Sequence, residues 1–372
     1  MRSGLKTLLC ATTALALAPA AFAQGHEVNV TSIGGAYQRS QQLGYGDAFE
    51  AAGNKINWNV YSGGLGEIRT QVDTGNVIWD LVDVNSAEAN TGCLEGIFEK
   101  IDLEEVTAPA PDGSTVEDYA VKRTNDCSVG TVIYGWTWAY NTDTFPDEHP
   151  TTVADYFDTG KFPGPRGIWN SPVQAVELAL IADGVPTDEV YTYLEEEGEA
   201  AVDRALDKLE ALYNDPEGGL VFWTGGAEPP ELLAKGEVVM STGWSGRFYN
   251  AIVQEDAPIE IVWDGQIMDF QNFAVLKGTP NLEAAKAFLR HATAPDQIAA
   301  TARYIPYAPW RSSAVRMILD NEPWSEDGKT NVGPFLATNP ANMNNYLEKG
   351  IDYWQNHQDE VTQRWEAWKA GL

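Results

Sequence analysis

The order in which strand-like and helix-like patterns succeed one another near the amino terminus constrains this chain more than any other feature. "EVNVTSI" alternates apolar and polar residues like a half-buried strand, and "GAYQRSQQLGYGDAFEAAG" follows with helical spacing. "KINWNVYSG" reads as a second strand, "LGEIRTQVDTG" as a helix and "WDLVDVN" as a third strand. Strands that alternate with helices predict a parallel, doubly wound sheet. Ligands of such sheets sit off the carboxyl ends of the strands, which places "SIGGAYQ" and "VDVNSAE" on cleft-facing loops.

The Pro-, Gly- and Asp-rich segment "WTWAYNTDTFPDEHPTTVADYFDTGKFPGPRG" reads as a crossing into a second lobe. Beyond it come a helix in "SPVQAVELALIADGV" and the acidic run from Thr187 to Asn214, read as a solvated helix face. "AEPPELLAKGE" is a helix opened by proline, followed by strand "EVVMSTG", helix "RFYNAIVQ" and strand "IEIVWDG". After "DFQNFAVLKGTPN" a helix begins at Asn281, and the chain ends in a long Trp-rich helix. With 372 residues, two domains are expected. The first lobe is read as residues 24–140 with 270–330 and the second as 141–269. Residues 331–372 are read as a helical segment packing on the lobes.

Arg2 and Lys6 flank a short apolar stretch, and "AFAQ" offers a small-x-small cleavage site, so residues 1–23 read as an export signal cut after Ala23. An uncleaved anchor is the alternative, but the apolar run is shorter than the ~20 residues a span needs. Cys10 falls before the cleavage point, which argues against a lipid-anchored start. The formal charge is −30, and becomes −32 once Arg2 and Lys6 leave with the signal. Such a surface repels nucleic acid and anionic lipid. Solubility explains it equally well, so charge alone names no cationic ligand. Cys93 and Cys127 remain, and an even pair in an exported chain suggests one disulfide, with two buried thiols as the alternative.

Enzyme motifs are mostly absent. "GWSGR" has Arg247 where a nucleophile elbow needs its second Gly, "GGLGEIR" lacks the Lys-Ser/Thr of a phosphate loop, and "GYGDAF" lacks the third Gly of a dinucleotide fingerprint. The histidines, His26, His149, His291 and His357, are scattered, and no metal or organic cofactor is expected. Aromatic residues are the positive signal: of thirteen Trp, Trp136 and Trp244 are among those near strand ends. Gly243 and Gly246 flank Trp244 on a strand-to-helix turn, where its ring has few neighbours to bury it and could stack on a cation or alkyl chain. Arg247 follows at a helix start, where positive charge is disfavoured unless an anion meets it. That anion is a ligand carboxylate or an acidic neighbour.

The chain resembles the periplasmic substrate-binding proteins of ABC importers, in the branch grouped with spermidine/putrescine-binding proteins. The carriers include "SIGGAYQ", "WDLVDVN", "GCLEGIFEKID", "DYFDTGKFPGPRG", "PPELLAKGEVVMSTGWSGRFYNA", "IVWDGQ", "YIPYAP" and "YWQN", spread over nearly the whole mature chain. The resemblance implies an α/β, two-lobed periplasmic binding protein fold of type II, each lobe a central mainly parallel sheet flanked by helices. It implies a ligand held between the lobes and presented, on closure, to an inner-membrane permease. Tyr37, Asn85 (near Asp83), Trp244, Tyr307 and Gln355 stand at positions matching the family's ligand contacts.

Where polyamine binders place acidic residues, this chain has Ser171, Gln174 and Gln271, with Asp269 two residues before the last. Loss of those acids would leave a buried ammonium poorly paired. The expected ligand is therefore an ω-amino acid such as γ-aminobutyrate, or a betaine-like zwitterion. Trp244 would stack on it, Arg247 would clamp its carboxylate, and Asp269 or Asp83 would take its cationic end. A polyamine is the second reading, with Asp269, Asp83 or Glu177 as acidic partners, and an exported enzyme on the same fold is the third. A monomer in the periplasm is expected.

Overall fold

The βαβαβ pattern near the amino terminus folds as read. The structure, a computed structural model, describes residues 25–123 and 125–372, so the expected signal at 1–23 lies outside the described residues. Strand β1 (Glu27–Ser32) pairs in parallel with β2 (Lys55–Val60) on one side and β3 (Leu81–Asn85) on the other. The helix Gly35–Gln41 runs on through a wider turn, Gln42–Gly46, into Asp47–Ala51. β3 is buried along nearly its whole length, and that burial takes in the carboxylate of Asp83 as well as Leu81, Val82 and Val84.

The remaining strands are β4 (Ser128–Asn141), β5 (Arg166–Trp169), β6 (Leu220–Trp223), β7 (Met240–Trp244), β8 (Ile259–Val275), β9 (Ala308–Pro309) and β10 (Tyr346–Glu348). All ten join one sheet in the order β2-β1-β3-β8-β4-β7-β5-β6, with β9 on β4 and β10 on β8. Each half holds three strands parallel to one another: β2-β1-β3 in the first and β7-β5-β6 in the second. Between the halves run β4 and β8, antiparallel to each other and long enough to serve both. β8 pairs with β3 through its carboxyl-terminal residues, Gln271–Val275, whereas β4 pairs with β7 through Trp136–Tyr140. The boundaries expected at 140/141 and 269/270 fall at the end of β4 and inside β8.

"IEIVWDG" is therefore not a separate short strand. It is the first part of the 17-residue β8, which passes through Gly265 at φ +72 without ending. Such a backbone suits glycine, and a Cβ there would stand 2.1 Å from Val153 Cγ2.

Apolar side chains from the sheet and its helices form a core in each half. Val28, Val30, Leu81, Phe273 and Phe288 belong to the first, and Ile168, Val176, Leu206 and Leu209 to the second. The acidic run folds as two helices broken at Gly198, Val190–Glu197 and Glu199–Asn214, and the second buries Val202, Leu206 and Leu209 while Asp203, Asp207 and Glu210 face solvent. The terminal helix Ile351–Lys369 bridges the halves. Trp354 Nε1 donates to Glu177 in the second, and Gln355 Nε2 donates to the Ala87 carbonyl and Thr91 Oγ1 in the first.

Cys93 and Cys127 form a disulfide that ties the helix Ser86–Leu94 to the residue preceding β4, across a sequence separation of 34. In the chain-entropy account a loop of that length contributes about 3–4 kcal/mol by restricting the unfolded chain. The double substitution Cys93→Ser/Cys127→Ser should lower the unfolding free energy by that order in denaturant titrations, with the far-UV circular dichroism of the folded protein unchanged.

Candidate ligand-binding site

A cavity of about 450 Å³ opens over the junction of the two halves. The loop after β1 contributes Ile33–Tyr37 and the turn after β7 contributes Trp244, Gly246 and Arg247, so both walls stand at carboxyl ends of strands. Tyr134 of β4 and Gln271 of β8 line it from the shared strands, and Ile305, Tyr307, Asn250 and Gly226 complete it. No Asp or Glu is among the lining residues.

Trp244 has more neighbours than its flanking glycines suggested. Its ring lies 5.1 Å from that of Trp136, 5.4 Å from Trp223 and 5.7 Å from Trp169, so one side is packed while the other borders the cavity. The glycines are there for other contacts. A Cβ at Gly246 would come within 2.7 Å of the Tyr307 ring, so the helix Ser245–Gln254 approaches that ring as glycine alone permits. Trp136 belongs to the packed cluster beneath Trp244 rather than to the cavity wall, with Lys349 Nζ 5.5 Å from its ring centroid.

Arg247 lies in the first turn of the helix Ser245–Gln254, which has no acidic residue in that turn and no side-chain cap. It is exposed, and its guanidinium makes no hydrogen bond and no ion pair among the described residues. No acidic neighbour among the described residues pairs with it, so none of them explains it structurally. An unpaired guanidinium beside the free N–H groups of a helix start makes a local concentration of positive charge in an acidic protein.

Tyr37, Tyr134 and Tyr307 surround the opposite part of the cavity, with ring centroids 5.9 Å apart for Tyr37–Tyr307 and 5.7 Å for Tyr134–Tyr307. Burial holds all three hydroxyls above the usual phenol value, so they stay neutral. Gln271 Oε1 is buried and accepts no hydrogen bond among the described residues.

None of the acidic candidates is among the residues that line the cavity. Asp269 is buried and paired with Lys349 at 2.7 Å. Asp83 is fully buried, and its Oδ2 accepts from Tyr37 Oη at 2.9 Å and from Gln41 Nε2 at 2.5 Å. Glu177 Oε1 accepts from Tyr191 Oη and Trp354 Nε1, and burial raises its carboxyl above the ordinary value. Asn85 caps the helix Ser86–Leu94 in a reciprocal capping box with Glu88, and Gln355 makes the bridge already described. Neither lines the cavity. Ser171 caps the helix Pro172–Ala182, and Gln174 is buried, donating to the Thr137 carbonyl.

Sequence reasoning missed Tyr134 and Asn250, which sit inside an ordinary core strand and an ordinary amphipathic helix. It also missed Lys349, which neutralises Asp269. A single Lys in "LEKGIDYW", close before the terminal helix, was the available signal.

Burial raises the Asp83 carboxyl from 3.8 to about 7. A folded-state value above the unfolded one means stability that is fully present below about pH 4 and lost as pH rises through about 7. Between about pH 5 and 8 the ligand-free protein should lose about 2–3 kcal/mol from this group. Denaturant titrations of the protein and of Asp83→Asn at both pH values measure the difference, and an equal pH dependence in the two would count against it.

A sheet whose halves share two through-running strands, with an aromatic and polar cavity over the junction, is the construction of a two-lobed solute-binding protein. The chain belongs to the bacterial extracellular solute-binding protein family, whose model matches residues 45–332. It is 34% identical over 358 residues to the gamma-aminobutyric acid-binding protein of Pseudomonas aeruginosa, covering 96% of this chain and 94% of that one. An ABC transporter substrate-binding protein from Bradyrhizobium japonicum is 30% identical, with a TM-score of 0.75 over 92% of this chain and 99% of that chain. A GABA receptor structure is 27% identical, with a TM-score of 0.74 over 92% and 97%. The family match reaches solute-binding proteins as a group and does not single out the spermidine/putrescine branch. These relatives are binding proteins rather than enzymes.

Proposed function

We propose that this protein binds γ-aminobutyrate or a closely similar zwitterion in the periplasm and hands it to the permease of an ABC importer. The observation that carries this reading is Arg247, a guanidinium with no partner among the described residues, on the wall of a cavity whose lining includes no carboxylate. An Arg fork takes a carboxylate through two charge-assisted hydrogen bonds. The cationic end then lies toward Gln271 Oε1 and the three tyrosine rings, which offer an acceptor and π faces.

A diamine would have to place an ammonium near Arg247. At about 5 Å and an effective dielectric of about 20, that repulsion costs roughly 3 kcal/mol. The 34% identical relative, a gamma-aminobutyric acid-binding protein, supports the zwitterion, and the substrate-binding relative supports the importer. Tyr37 belongs to the first lobe and Trp244 and Arg247 to the second, so a ligand touching both favours the closed form by its differential affinity. The protein acts as a monomer and needs no cofactor.

Calorimetric titration of ligand-stripped protein against γ-aminobutyrate, glycine betaine, putrescine and spermidine tests the reading. Tight binding is expected for a zwitterion and not for the diamine or polyamine. Arg247→Ala should weaken that binding at least about thirtyfold, the worth of one strong charged hydrogen bond or more. Diamine binding that is indifferent to Arg247→Ala would overturn the assignment.

A further inference from the structure

Asp83 is a buried carboxylate with no cation paired to it among the described residues, one hydrogen bond removed from the ligand cavity. It meets that cavity through Tyr37, which lines the wall and whose hydroxyl donates to Asp83 Oδ2. Gln41 Nε2 donates to the same oxygen, and Ser32 Oγ donates to Gln41 Oε1 at 2.6 Å, so the acceptor side is fixed from two directions. Asp83 Oδ1 is buried and accepts no hydrogen bond among the described residues.

We propose that Asp83 is a positioning residue for the ligand's cationic end, acting through Tyr37. Ionised, it draws the Tyr37 hydroxyl hydrogen toward itself and leaves that oxygen's lone pairs for an ammonium group in the cavity. Protonated, it can donate to Tyr37 Oη, which turns the tyrosine hydrogen away and removes the acceptor. The assignment rests on the zwitterion reading above. It supplies what that reading lacks, a negative charge for the ammonium in a cavity whose lining residues carry none.

The groups that face Asp83 are Tyr37 and Gln41 from the helix Gly35–Gln41, Tyr45 from the turn that continues it, and Ser32 from β1. Tyr61, after β2, donates to the Asp83 carbonyl at 2.6 Å. Glu88 acts from the helix Ser86–Leu94, and Thr131 Oγ1 of β4 stands 3.4 Å from Tyr37 Oη. None of these is a cation. Burial keeps the carboxyl near neutrality, at about 7, against the pull of the hydrogen bonds from Tyr37 and Gln41, and Glu88 adds to the rise. An arriving ammonium supplies the missing positive charge, so the Asp83 O–H bond breaks, its electron pair stays on the carboxylate and the proton leaves to solvent. Binding at neutral pH thereby releases protons, and affinity falls as pH drops through that value.

The test is calorimetry with γ-aminobutyrate and with putrescine between about pH 5.5 and 8.5, where both keep their charges, and at pH 7 in two buffers of different ionisation enthalpy. For γ-aminobutyrate, fractional proton release and about tenfold tighter binding at the alkaline end are expected, matching a roughly tenfold increase in the acidity of Asp83 on binding. Asp83→Asn and Tyr37→Phe should each bind more weakly at high pH with a flat pH profile and no proton release, while thermal melts show both folded. A purely structural Asp83 would change the melt and not the slope. Binding of γ-aminobutyrate with no proton release, or a slope that survives in Asp83→Asn, overturns this assignment and leaves the zwitterion reading standing. Putrescine binding with Asp83-dependent proton release, and no binding of γ-aminobutyrate, supports the Asp83 assignment and overturns the zwitterion reading.

Discussion

The antiparallel pairing of β4 with β8 holds the rest of the structure in place. It runs from Ser128 opposite Ala274 to Asn141 opposite Ile259, with register shifts between Gly130 and Ile133 and between Trp136 and Trp138. Backbone hydrogen bonds between two buried strands are costly to leave unmade, so this ladder is the part of the sheet least free to slip. Each parallel trio is anchored to it on one side only, β3 to β8 and β7 to β4. Tyr134 and Gln271 project into the cavity from these same strands, so the floor of the site and the joint between the halves are one piece of backbone.

The electrostatics of the cavity run opposite to those of the chain. Formal charge is −30 overall, yet carboxylates near the site are withdrawn behind other groups: Asp269 beneath Lys349, Asp83 behind Tyr37 and Glu177 under Tyr191 and Trp354. Each loses water on burial and recovers part of that loss from a specific donor. The Asp83 carboxylate thus meets the cavity wall through the Tyr37 hydroxyl, while Arg247 lines the cavity directly. A site arranged this way distinguishes the two ends of a ligand by distance as well as by sign.

The parallel strands, their loops and the Trp244–Arg247 turn were legible in the sequence, because apolar period and glycine placement are local signals. Tyr37, Trp244, Arg247 and Tyr307 do line one cavity. The long strands were not legible as single elements. Gly265 ends the strand read in "IEIVWDG", and "WTWAYN" reads as part of a crossing, whereas the pairing of β4 with β8 shows that both belong to long strands. Nor could sequence show that Asp269 is occupied by a Lys 80 residues later, or that Asp83 lies one ring behind the wall. Those facts depend on which side of a buried strand a polar residue faces and on what long-range packing brings to it. The resemblance of "YWQN" pointed Gln355 toward a ligand, and its amide donates to Ala87 and Thr91 of the first half.

The indoles beneath Trp244 are close enough to interact as chromophores as well as to pack. Trp136 and Trp169 are 4.7 Å apart, and Trp169 and Trp223 are 6.1 Å apart and nearly parallel, with Trp244 leaning edge-on against all three. Transition dipoles this near to one another couple, and the coupling varies steeply with the angle between the rings. The near-ultraviolet circular dichroism of this cluster is accordingly an optical gauge of the Trp244 ring. A small tilt of that ring would be legible in the spectrum of the unmodified protein, without a fluorescent label or an added probe.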